Sequence, residues 1–111
     1  MGMDRTELLN QIITFGQTRE EAFMQLAKLA FDPHAEPFQL SKTILSDVLT
    51  KYITNTITTD ELEEWANFIE CRHDISFSNV EGYIYALANP EQMGEISNDK
   101  IHQMLTLLTQ A

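Results

Sequence analysis

The chain has a single cysteine, Cys71, among its 111 residues. That excludes an internal disulfide framework and a cysteine-based zinc site. Four glycines and three prolines leave no Gly-rich phosphate loop and no low-complexity linker. No apolar run approaches the roughly 18 residues that a membrane span needs. The opening MGMDRTELLN lacks the basic and then apolar profile of a secretion signal, so a cytoplasmic protein with no membrane association is expected. Bases are scarce too. Seven lysines and arginines face seventeen acids, giving a net charge of −10. Such a surface repels phosphate backbones and attracts basic proteins, so direct nucleic-acid binding is not expected.

What the chain does have is apolar residues at helical spacing. With 43% hydrophobic residues it can bury the core of one domain over residues 1–111. Asp4 can cap a first helix carrying Leu8, Leu9, Ile12 and Ile13, which ends near Gly16. Thr18 to Glu21, T-R-E-E, reads as a capping box for a second helix. Its face is Ala22, Phe23, Leu26, Ala27 and Ala30, and Phe31-Asp32-Pro33 stops it. The segment DPHAEPF, with His34, reads as a loop. A third helix covers about Ser41 to Tyr52, and ITNTITT follows as an extended connector. Ser78 to Glu81, S-N-V-E, reads as the capping box of a fifth helix that stops at Asn89-Pro90. After the loop PEQMGEIS, Ser97 caps the last helix, with Ile96 and Ile101 as a hydrophobic staple. The expected fold is all-α, a compact bundle of about six short helices.

The fourth helix organises the rest. With Thr58 as N-cap, Glu61 completes a capping box, and Ile57 and Leu62 form a staple. Leu62, Trp65, Ala66, Phe68 and Ile69 share one side, an arc of about 160°. Glu63, Asn67, Glu70 and Asp74 fall at i, i+4, i+7 and i+11, within about 60° of one another on the opposite side. Glu64 flanks them. Ten acids and one base lie between Asp60 and Asp99, carrying −9 of the net charge. The acids Glu63, Glu64, Glu70 and Asp74, with Asn67, are therefore the expected partner-binding stripe. Rim charges alone bind weakly, so an apolar or aromatic anchor is required. Tyr85, which lies off the Val80, Tyr83, Ile84 stripe, is the candidate, and Met93 is a second.

Catalytic constellations are thin. Glu70-x-x-His73 and Asp99-x-x-His102 have the i, i+3 spacing of di-metal bundle ligands, yet Glu70 belongs to the exposed stripe. If the fourth helix reaches it, His73 falls on the apolar side, as a partly buried histidine or a helix C-terminal cation, and His102 is expected on the helix surface. Cys71 projects among acids, which raise a thiol pKa and oppose nucleophilic chemistry. No catalytic motif occurs, so neither an enzyme nor a cofactor is expected.

The run T-x-x-ELEEWANFIECRHDI from Thr58, the helix ending in LANP, and the GEIS-capped last helix resemble small all-helical bacterial immunity proteins. These are the immunity proteins of contact-dependent growth-inhibition toxins and of the colicin D type. The similarity covers about Lys51 to Leu108. It implies a cytoplasmic protein that binds and neutralises the C-terminal nuclease domain of a cognate toxin, commonly one that cleaves tRNA. Two alternatives come from other classes. One is an acidic helical adaptor or regulator of another basic protein. The other is a small metal-dependent enzyme built on Glu70, His73, Asp99 and His102.

Overall fold

The computed structural model describes residues 5–29 and 36–109. The expected cap Asp4, the stop at Phe31-Asp32-Pro33, Ala30 and His34 lie outside them. The described residues form seven helices: α1 (Arg5–Ile13), α2 (Arg19–Lys28), α3 (Lys42–Ile53), α4 (Thr59–Glu70), α5 (Glu81–Ala88), α6 (Pro90–Met93) and α7 (Asn98–Thr109). A 3-10 turn, Ser78–Val80, leads into α5. The fold is all-α, a bundle of short helices in which α1 packs on α2, α3 on α7 and α4 on α5.

Local chemistry explains the helix boundaries that hold. Thr58 sits in extended backbone (φ −90°, ψ 169°), and its hydroxyl accepts from the Glu61 N–H at 3.1 Å. Glu61 Oε1 accepts in return from the Thr58 N–H at 2.9 Å. Ile57 and Leu62 are both buried, as the staple requires. Ser41 has the same extended geometry, and its Oγ accepts from the Ile44 N–H. Ser97 Oγ accepts from the Lys100 N–H in the same way.

Two expected capping boxes do not form. Thr18 has ψ 22°, which turns its hydroxyl away from the first turn of α2, and it makes no side-chain cap. Ser78 lies inside the 3-10 turn, and α5 instead begins after Val80, which also lacks the extended backbone of a cap. The letter pattern is present at both places, but the backbone that would aim the hydroxyl is not. PEQM also departs from expectation. It makes a helical turn with Pro90 in the first turn, closed by Gly94 at φ 96°. Lys100 Nζ donates to the Met93 and Gly94 carbonyls at 2.7 Å each.

α1 ends in a left-handed cap at Phe15 (φ 55°), where Gly16 N–H reaches back to the Gln11 carbonyl at 2.8 Å. The lack of a side chain at Gly16 makes room for the Gln11 amide, whose Oε1 lies 1.8 Å from where a Cβ would stand. α3 ends likewise at Asn55 (φ 62°), with Thr56 N–H bonded to the Lys51 carbonyl. Much of ITNTITT is thus a helix-ending turn.

Trp65 carries the junction between α1 and α4. It is fully buried, and its Nε1 donates to the Ile13 carbonyl at 2.9 Å. A carbonyl left over at the end of α1 is thereby satisfied inside the core. Nearby, Arg19 Nε donates to the Ile12 carbonyl at 3.0 Å, with its guanidinium over Phe15 and Phe23. Phe23 meets Phe68 edge to face at 5.4 Å.

One element has no counterpart in the sequence reading. Phe38–Gln39 (β1) pairs in parallel with Ile75–Ser76 (β2), Phe38 opposite Ile75. The pairing draws the chain away from the axis of α4 directly after its end.

Candidate partner-binding surface

α4 presents Leu62, Trp65, Ala66 and Ile69 to the core, and the opposite side faces outward. α5 runs back along it. The start of α4 faces the Ala88–Ile96 segment, and its end faces Phe77–Tyr85. Two clefts open along this seam.

The first, of about 730 Å³, joins Glu63 and Asn67 of α4 to Asn89, Glu91, Gln92 and Glu95. Glu63 is half-buried there, and Asn67 Nδ2 donates to the Glu63 carbonyl at 3.1 Å. The second, of about 690 Å³, is lined by Glu70, Cys71, Phe77, Glu81, Gly82 and Tyr85. Tyr85 links the two: 42% exposed, it donates from its hydroxyl to Gln92 Oε1 at 2.6 Å. Five carboxylates line the two clefts, and among the described residues no lysine or arginine does. Met93, 48% exposed, stands on the adjoining α6.

Glu63, Asn67, Glu70 and Tyr85 therefore share one seam. Glu64 is exposed but lines neither cleft. With Glu61 it lies in the field of Arg19, whose pKa burial lowers while the two carboxylates oppose the shift.

Asp74 does not belong to the stripe. α4 ends at Glu70 with Cys71 as its C-cap, so the i+11 relation is never realised. Asp74 instead accepts from Arg72 Nε at 2.8 Å and from Arg72 Nη2, with Arg5 Nε 3.7 Å away. Its side chain is only 11% exposed. The hydrogen bond from Arg72 holds its pKa below the usual carboxylate range, against the opposing effect of burial. Its carbonyl accepts from the Phe38 N–H at 2.8 Å, which places it in the hinge between α4 and β2.

The end of α4 also corrects His73. The helix stops before reaching it, and the side chain is exposed rather than partly buried. Asp99 and His102 are exposed on α7. Among the described residues no three His, Cys, Asp or Glu side chains gather as metal ligands would. Among the same residues no helix is long and apolar enough to cross a membrane.

The seam contains residues that the α4 periodicity did not single out. Glu91 and Glu95 counted toward the acidic half of the chain, but nothing local sets them opposite Glu63. Gly82 and Phe77 carried no signal at all. The one usable hint was Asn89-Pro90, since a proline favoured at a helix start brings Glu91 and Gln92 into a turn.

No family model, curated protein or solved structure matches the chain.

Proposed function

We propose that the chain is an immunity protein that acts in the cytoplasm, binding the nuclease domain of a cognate toxin through the α4–α5 seam. The observation that carries this reading is the pair of clefts lined by five carboxylates without a lysine or arginine. A nuclease must present cationic side chains to the phosphates it cleaves. An acidic seam competes for the same side chains, speeds encounter by long-range attraction and sets orientation by charge-assisted hydrogen bonds. Occupying the RNA-binding surface neutralises the enzyme without chemistry by the inhibitor, so no catalytic residue or cofactor is needed.

The test takes a toxin nuclease domain encoded in the same gene neighbourhood and reads protection as intact tRNA in cells expressing both proteins. Reversal of Glu63 and Glu91 to lysine should abolish protection. Reversal of Glu20 and Glu21, exposed on α2, should leave it intact. Equal protection by both variants would remove the seam from the mechanism. Absence of protection by the native chain would remove the immunity reading itself.

A further inference from the structure

We propose that the cleft at the end of α4 is an anchor pocket for one arginine side chain of a protein partner. The inference rests on the reading that this seam meets a basic protein, and it names the chemistry of the contact.

The pocket is not simply acidic. Phe77, Tyr85, Gly82 and Cys71 line it together with Glu70 and Glu81. An aliphatic partner side chain would fill the apolar part but strip water from two carboxylates without replacing it. A lysine would supply charge as a strongly hydrated point. An arginine supplies an apolar stem, a planar face to lie on a ring, and a fork of donors for carboxylates. The chain itself uses that combination. Arg19 stacks over Phe15 at 4.2 Å and Phe23 at 4.8 Å, and Arg72 lies 5.5 Å from the Phe68 ring while donating to Asp74.

Two details suit the site to a ligand. Tyr85 is exposed although large and aromatic, and its hydroxyl is already held by Gln92, so its ring needs no ordering on binding. At Gly82 a Cβ would meet nothing within 4 Å, so the space above the backbone is open. Gly82 also borders the neighbouring cleft of Tyr83, Lys100 and Met104, so a side chain placed there stands at the rim of the pocket and its Cβ meets no neighbour.

The experiment titrates the isotope-labelled full chain with the pentapeptide amide Gly-Gly-Arg-Gly-Gly and with its lysine counterpart, followed by amide chemical shifts. The arginine peptide should move Gly82 and Tyr85 with a Kd on the order of 1 mM. The lysine peptide should bind at least about threefold more weakly. Gly82→Leu should weaken the arginine peptide about tenfold. Should that variant fail to fold, Tyr85→Leu reads the same point by abolishing the preference for arginine over lysine. The proposal is overturned by equal affinity for the two peptides, by native affinity in Gly82→Leu, by retained preference in Tyr85→Leu, or by no saturable shift at Gly82 and Tyr85. Charge reversal at Glu63 and Glu91 tests the immunity reading at the other cleft and should leave these shifts in place, so either idea can fail alone.

Discussion

Replacing Trp65 by Phe should destabilise the protein by about 2–4 kcal/mol. The indole is fully buried, and its Nε1 holds the Ile13 carbonyl at 2.9 Å. Phenylalanine keeps one ring but removes the donor. The carbonyl then stays buried without that partner, which costs about 1–3 kcal/mol. The lost ring volume, on the order of 40 Å³, adds about 1 kcal/mol at about 24 cal/mol per Å³ of residual cavity. Urea unfolding followed by far-UV circular dichroism measures the sum, because the variant has no tryptophan left to report. The midpoint should fall while the slope stays constant, as it does when stability alone changes. Leu107→Ala, at a position 57% exposed, should move the midpoint little and serves as the control. A loss under about 1 kcal/mol in Trp65→Phe would refute the view that this indole joins α4 to the end of α1.

Three further outcomes follow from other contacts. Thr58→Ala should cost about 1 kcal/mol, whereas Thr18→Ala, at a threonine that makes no side-chain cap, should be close to neutral by the same urea assay. Asp74→Asn should cost about 1–3 kcal/mol at neutral pH, because it weakens the charged hydrogen bonds from Arg72 and removes the ion pair with Arg5 Nε at 3.7 Å. The native Asp74 pKa is depressed, so its contribution is present above the unfolded value of about 3.9 and is lost as pH falls through the folded value. Acid unfolding of Asp74→Asn should therefore be less steep than that of the native chain. Asn55→Ala should destabilise by about 1 kcal/mol and Asn55→Gly by nothing, since φ 62° suits glycine and tolerates asparagine but strains alanine.

Sequence reading succeeded where the deciding interactions are local. The Thr58–Glu61 box, the Ile57–Leu62 staple and the buried face through Trp65 all lie within a few turns of one helix. It failed where a distant partner decides. Nothing after Glu70 spells a helix stop: there is no glycine or proline before Ile75, and extrapolating the periodicity put Asp74 on the acidic stripe. The stop comes from elsewhere. Phe38 pairs with Ile75, Arg5 approaches Asp74, and together they bend the chain off the α4 axis. Thr18 and Ser78 show a different failure, in which the capping letters occur without the extended backbone they need. The facing of Glu63 by Glu91 is also non-local. It depends on α5 running back along α4 and on Pro90 starting a new turn, so an acidic count could locate the charged half of the chain but not its cleft.

The most direct test of the account is the affinity of the proposed partner, a toxin nuclease domain, for the native chain and for the Glu63→Lys, Glu91→Lys double variant, each at about 50 and about 300 mM NaCl. The seam predicts that added salt weakens the native complex by about tenfold or more. It also predicts that the variant binds far more weakly at low salt and responds much less to added salt. Equal affinities for the two proteins, with the same salt dependence, would contradict it.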